Sequence, residues 1–193
     1  AVAILRGVTP AEIKDVCDVL FDAGITLLEI PLNSPDAVES IAIAAKHCAC
    51  RQMVGAGTVL TPEDVRNVHA AGGTFIISPN TDVDVIKETK KLNMLSIPGF
   101  FTASEGFTAL KAGADFLKLF PAILGPGYVK DLKAVIKAPI LAVGGVNSDN
   151  IPDFMKVCAG VGIGSALYKP GKSADEVKKD AANIVKAVKN SNG

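Results

Sequence analysis

Eight short apolar runs recur along the chain at intervals of roughly 20–25 residues, and a helical pattern follows each. The runs are Val2–Leu5, Leu27–Pro31, Gln52–Ala56, Phe75–Ser78, Met94–Ile97, Asp115–Phe120, Ile140–Val143 and Gly160–Ile163. Strands separated by helices cannot pair as tight hairpins. They pair in parallel, and helices cover the sheet. Eight such units are the number that closes a barrel. The sequence therefore predicts an α/β protein, a (β/α)8 TIM barrel spanning residues 1–193 as a single domain. An open doubly wound sheet is the alternative. A G-x-G-x-x-G after the first strand would favour it, and Gly55-Ala56-Gly57 does not extend to one.

The helices carry their own punctuation. Thr9-Pro10-Ala11-Glu12 is expected to open the first, with Thr9 as N-cap, and Gly24 to end it. Thr61-Pro62-Glu63-Asp64 repeats the opening, Thr102 with Glu105 forms a third, and Ser173 with Glu176 opens the last helix. Apolar residues follow at helical spacing: Ile13, Val16 and Leu20; Val65, Val68 and Ala71; Phe107 and Leu110; Val177, Ile184, Val185 and Val188.

Composition narrows the function. The chain is 49% hydrophobic but 5% aromatic, which suits parallel strands rich in aliphatic residues. Lys and Arg number 20, as do Asp and Glu, so nucleic acid and acidic membrane surfaces are poor partners. No apolar run has the length of a bilayer span or the layout of a signal peptide. The start at Ala1, inside a strand, is read as a missing short N-terminal piece. Cys17, Cys48, Cys50 and Cys158 match neither a disulfide framework nor a paired zinc motif, so a reduced, cytoplasmic protein is expected. His47-Cys48-Ala49-Cys50 lacks a second ligand pair and reads as small thiols at a helix end. His69 reads as a surface residue of its helix.

In a barrel of this kind chemistry sits at the C-terminal ends of the strands. Side chains alternate along a strand, so Phe116, Lys118 and Phe120 share a face, as do Leu27, Glu29 and Pro31, and Val2, Ile4 and Arg6. Lys118, Glu29 and Arg6 each fall in the C-terminal half of a strand and should point into the barrel mouth. A buried Lys118–Glu29 pair that merely fills the barrel is the structural alternative, but such pairs stabilise poorly compared with apolar packing. A lysine between two phenylalanines should be partly desolvated, which favours the free amine. A free amine attacks a carbonyl to form a Schiff base, and Glu29 is the carboxylate available to move protons. The glycines of "AVGGV" (142–146) and "GVGIGSALY" (160–168) fall in the two loops that commonly hold a phosphate, with Ser165 as a further donor.

Together, "LLEIPLNSP" (27–35), "VGAGTVLTPEDV" (54–65), "ISPN" (77–80), "FLKLFPAILGPGYVKDLKAV" (116–135), "AVGGV" and "GIGSALY" resemble the bacterial 2-keto-3-deoxy-6-phosphogluconate / 2-keto-3-deoxy-6-phosphogalactonate aldolase family over nearly the whole chain. The resemblance implies a class I aldolase, a carbon–carbon lyase without metal or cofactor. It implies a homotrimer acting on a phosphorylated 2-keto-3-deoxy sugar acid to yield pyruvate and glyceraldehyde 3-phosphate. It also implies Lys118 as the Schiff-base lysine and Glu29 as acid/base. Thr58 is implied near the pyruvate carboxylate, Pro79 and Phe120 as pocket walls, and Gly144, Gly145, Gly164 and Ser165 as the phosphate site. Gluconate-type members carry an arginine after the second strand, where this chain has Asn33. Here Arg6 ends the first strand instead, and Val143 stands where gluconate-type members have a threonine near the C4 hydroxyl. Both features look galactonate-like, so Arg6 and Val143 join the implied substrate-binding residues. Three other readings stay open: a 4-hydroxy-2-oxoglutarate aldolase, a non-covalent sugar-phosphate isomerase or synthase, and a non-catalytic sugar-phosphate binder.

Overall fold

Strand runs this short and apolar are stable only when both faces are covered, and the chain meets that need by closing the sheet on itself. The computed structural model describes residues 1–191. Its strands are β1 (Val2–Ile4), β2 (Leu27–Pro31), β3 (Met53–Gly57), β4 (Phe75–Ile77), β5 (Leu95–Ile97), β6 (Gly99–Phe100), β7 (Leu117–Leu119), β8 (Ile140–Val143) and β9 (Gly160–Ile163). The helices are α1 (Ile13–Ala23), α2 (Ala37–Cys48), α3 (Pro62–Ala70), α4 (Val83–Lys91), α5 (Ala103–Ala112), α6 (Gly125–Val135), α7 (Ile151–Met155) and α8 (Ala174–Asn190).

All pairings are parallel, in the order β5-β4-β3-β2-β1-β9-β8-β7-β6. The two outer members, β5 and β6, are halves of one strand parted by Pro98 alone. The lower half pairs with β4 and the upper half with β7, so the sheet returns to itself as a barrel with eight strand positions. Nine strands rather than the expected eight follow from Pro98, which has no N–H to donate to a ladder. Its carbonyl still serves, accepting the Lys118 amide at 2.9 Å.

Two hydrophobic layers result. The larger lies between strands and helices and holds Leu5, Leu28, Ile30, Val54, Leu117, Leu119 and Ile140. The smaller lies inside the barrel near its N-terminal end and holds Val2, Phe75, Ile77, Ile97 and Leu141, with Leu27 and Phe116 packed against it. The alternation read from sequence is thus observed: odd-numbered Leu117 and Leu119 face the helices, while Phe116 and Lys118 face the barrel interior. No helix among the described residues is long and apolar enough to cross a membrane.

Three capping boxes form as expected, at Thr61 with Asp64, Thr102 with Glu105, and Ser173 with Glu176. The first helix departs from expectation. It begins at Ile13, with Glu12 as an N-cap that makes no side-chain cap bond. Thr9 does not cap it, because the Glu12 carboxylate is engaged elsewhere: the Tyr168 hydroxyl and the Thr9 hydroxyl both donate to it. Gly24 ends α1 in the left-handed conformation, φ 94°, as expected. On α5 the core side is Gly106 and Ala109, and Phe107 turns outward at 42% exposure.

Within the barrel, β3 is built to be thin. A Cβ on Gly55 would stand 2.4 Å from both Phe75 Cδ2 and the Phe75 carbonyl oxygen. Since the neighbour is partly backbone, relief requires moving β4. Gly55→Ala is expected to destabilise the protein by ~1–3 kcal/mol or more, read from the urea midpoint at unchanged m-value.

Candidate active site

The C-terminal mouth of the barrel opens into a cavity of about 260 Å³. Of the residues expected there from sequence, Arg6, Glu29, Lys118, Phe120, Val143, Gly144, Gly145, Gly164 and Ser165 line it. Thr58 and Pro79 do not. Thr58 stands directly past β3 with a left-handed φ of 55°, and the Pro79 carbonyl group packs against Gly99, where a Cβ would come within 2.4 Å of it. The cavity wall also includes Ile4, Val146, Asn147, Gly162 and Ala166. Ile4 and Gly162 were legible by alternation from Arg6 and Gly164. Asn147 has a weaker signal, the spacing of two asparagines in "NSDN".

Lys118 is 6% exposed and Glu29 is 2% exposed. Burial lowers the Lys118 pKa, and the nearby Arg6 charge pushes the same way, while Glu29 opposes them. Burial raises the Glu29 pKa, against the pull of Lys118 and Arg6. Each group is driven towards its neutral form. The two are not joined in an ion pair, and Glu29 Oε2 has no hydrogen-bond partner among the described residues. The purely structural reading, a salt bridge filling the barrel, therefore does not describe this pair.

The aromatic neighbours add a contact that the sequence does not show. The Lys118 ammonium stands 4.7 Å from the centroid of the Phe120 ring, a cation–π contact that favours the charged form. Phe116 lies deeper, against the lower barrel core. Burial outweighs that contact, and the Lys118 pKa is lowered in the expected direction.

Around the mouth the loops are set by short-range hydrogen bonds. Arg6 Nη1 donates to Asn33 Oδ1 at 2.6 Å, and the Gly7 amide donates to Ser34 Oγ at 2.9 Å, tying the loop after β1 to that after β2. After β8, Gly144 and Gly145 take φ of 95° and 75°, a path that favours glycine. Asn147 Oδ1 accepts from the amides of Asp149 and Asn150, and Asn150 reciprocates by accepting from the Asn147 amide and donating to the Gly145 carbonyl. After β9, the amides of Leu167 and Tyr168 both donate to the Gly164 carbonyl. The Ser165 and Ala166 amides precede that turn, where the turn has no carbonyl to offer them. Two glycine-containing loops thus line a cavity that also holds one guanidinium.

The cysteines stand apart from this site. Cys17, Cys48 and Cys158 are buried, Cys50 is exposed, and all four are free thiols. His47 is taken up by Asp18, with Nε2 to Oδ1 at 2.9 Å, and His69 is exposed on α3.

The Glu29 shift has a stability consequence with a definite sign. Its folded pKa lies above its unfolded value, so stability is given up as pH rises from the ordinary carboxylate range towards the folded pKa. Glu29→Gln is expected to melt at a higher temperature than the unsubstituted protein at neutral pH. That gain should vanish in acid below the ordinary carboxylate range, as read from melting temperatures across pH.

Comparison with known proteins agrees with this geometry. The family described as "Aldolase: KDPG and KHG aldolase" matches residues 1–187. The 2-dehydro-3-deoxy-6-phosphogalactonate aldolase of Escherichia coli (strain K12) is 43% identical over 190 residues, covering 96% of this chain and 93% of the relative. A solved structure of native KDPGal superposes with a TM-score of 0.96 at 42% identity, covering 98% of this chain and 94% of that one. The KDPG aldolase of Legionella pneumophila, with pyruvate captured at low pH as a covalent carbinolamine intermediate, superposes with a TM-score of 0.81 at 27% identity, covering 97% of this chain and 91% of that one. A barrel of eight strand positions, a buried lysine and carboxylate in its mouth, and likeness along the whole length lead to one conclusion: the chain belongs to the KDPG and KHG aldolase family and is an aldolase, a carbon–carbon lyase.

Proposed function

We propose that the protein cleaves a 2-keto-3-deoxy-6-phospho sugar acid to pyruvate and glyceraldehyde 3-phosphate through a Schiff base on Lys118. The observation that carries this reading is Lys118 itself, 6% exposed with a lowered pKa, beside an unpaired buried carboxylate. The relative with a captured carbinolamine supports it by likeness.

The loops after β8 and β9, through Gly144, Gly145, Gly164 and Ser165, hold the phosphate, and Arg6 holds the carboxylate. Phe120 walls the reacting end. Thr58 and Pro79 lie outside the cavity wall and support it from the rim. The Lys118 amine adds to the C2 ketone, giving a carbinolamine. Glu29 delivers a proton to its hydroxyl, water leaves, and an iminium remains. The Glu29 carboxylate then takes the proton of the C4 hydroxyl. The C4–O bond becomes a carbonyl as the C3–C4 bond breaks, and that electron pair enters the iminium to give an enamine. Proton return to C3 and addition of water release pyruvate and restore the amine. No metal or cofactor enters any of these steps.

The galactonate configuration at C4 is the proposed preference. Val143 puts an aliphatic wall where a hydroxyl donor would otherwise meet the substrate, and Asn33 leaves carboxylate binding to Arg6. We place the protein in the cytoplasm, in keeping with its free thiols, and as a homotrimer. The exposed apolar pair Ile123 and Leu124, at 72% and 56% exposure, offers surface for such an assembly to cover.

Borohydride added with pyruvate is expected to leave a reduced adduct on the peptide holding Lys118, with or without a chelator. Failure to form it would favour a non-covalent isomerase or synthase, or a binding protein. Glu29→Gln is expected to lower turnover by ~10²–10⁴-fold with substrate binding largely kept. In a pyruvate-release assay on the two C4 epimers, the galactonate type should be cleaved faster. Faster turnover of unphosphorylated 4-hydroxy-2-oxoglutarate would overturn the phosphosugar assignment.

A further inference from the structure

Glu29 owes its place to a residue on the neighbouring strand. In the β2–β3 register, Glu29 lies opposite Gly55 and Pro31 opposite Gly57. Above Met53 the inward face of β3 therefore carries no side chain at all. The Glu29 side chain lies along that bare face. A Cβ built on Gly57 would stand 2.0 Å from Glu29 Oε1, 2.3 Å from Cδ and 2.9 Å from Cγ, and these are the three nearest atoms to it.

Two comparisons show that the glycine serves the carboxylate and not the chain. Gly57 is absent from the positive-φ glycines, so its backbone conformation is open to any L-residue. The neighbouring Gly55 meets the ring and the carbonyl of Phe75, an ordinary packing constraint, whereas Gly57 meets Glu29 alone among its nearest atoms. Oε1 is the atom that a side chain at position 57 would meet first, and Oε2 is buried without a hydrogen-bond partner among the described residues.

We propose that Gly57 is a positioning residue: its missing side chain is the slot that seats the Glu29 carboxylate and aims it at the reacting carbons held by Lys118. The proposal rests on the reading of Glu29 as the proton carrier. Alanine at position 57 would push the carboxylate out of its slot by more than a van der Waals overlap can absorb, since real Cβ contacts do not approach 2.0 Å.

The test is a stability cycle joined to a pH profile. Gly57→Ala should lower the melting temperature of the unsubstituted protein but leave that of Glu29→Ala almost unchanged, because the clash disappears with the carboxylate. Where Gly57→Ala folds, its turnover should fall by about 10²-fold, the scale of an ångström's misplacement of a reacting group. The acid limb of its kcat/KM profile should move to lower pH, because the displaced carboxylate is less buried. An equal loss of melting temperature with and without Glu29 would overturn the proposal, and so would near-normal turnover with an unmoved acid limb. The borohydride trap on the unsubstituted enzyme separates this from the reading beneath it. A missing adduct there would sink the Schiff-base mechanism, while coupled melting of positions 29 and 57 would still uphold the slot.

Discussion

The site depends on keeping two opposite charges buried without letting them neutralise each other by contact. In water, an amine and a carboxyl at neutral pH would both be ionised and of little use as nucleophile and acid. Inside the barrel mouth, burial is the leading influence on both and drives both towards neutrality. Had Glu29 reached Lys118 directly, a tight pair would have favoured the ammonium over the free amine that the proposed Schiff base requires. The absence of that contact is a positive feature of the site, and the seat of Glu29 against β3 maintains it.

The outer layers serve that arrangement. The aliphatic sheath of Leu28, Ile30, Leu117 and Leu119 lies between the reactive strands and the helices, so that charged inward residues cannot be reached by water from outside. The lower barrel core, from Val2 to Leu141, seals the site from below. Only the upper mouth is polar. There the loops after β1 and β2 are stitched through Arg6–Asn33 and Gly7–Ser34, while the loops after β8 and β9 line the same cavity. The groups proposed to bind the two ends of a substrate thus stand on different strands, and the barrel frame sets the distance between them.

Much of this was legible in the sequence because it depends on local rules. Alternation placed Lys118, Glu29 and Arg6 inward, and three of the four capping boxes formed where their residues stood. What was not legible depended on partners remote in the chain. Thr9 failed as a cap because the Tyr168 hydroxyl, 156 positions from Glu12, engages the glutamate that the box required. Pro98 itself signalled a break in the fifth strand, but that the half before it pairs with β4 and the half after it with β7 is a property of closure. The cation–π contact of Phe120 with Lys118 was not legible, since adjacency alone does not say whether a ring offers its face or its edge, but the expected lowering of the lysine pKa by burial holds. Thr58 and Pro79 sat at the correct strand ends, yet the direction of the chain past those ends kept them out of the cavity wall.

The break at Pro98 has a chemical consequence. The seam where the barrel closes is the one that the lysine strand joins: Gly99 lies opposite Lys118, and the Lys118 amide hangs on the Pro98 carbonyl. The burial that lowers the Lys118 pKa therefore includes the cover given by β6 beside β7. In the Schiff-base mechanism proposed above, opening that seam would expose Lys118 to water and favour its ammonium form, so the integrity of the β6–β7 pair and the reactivity of the amine are linked.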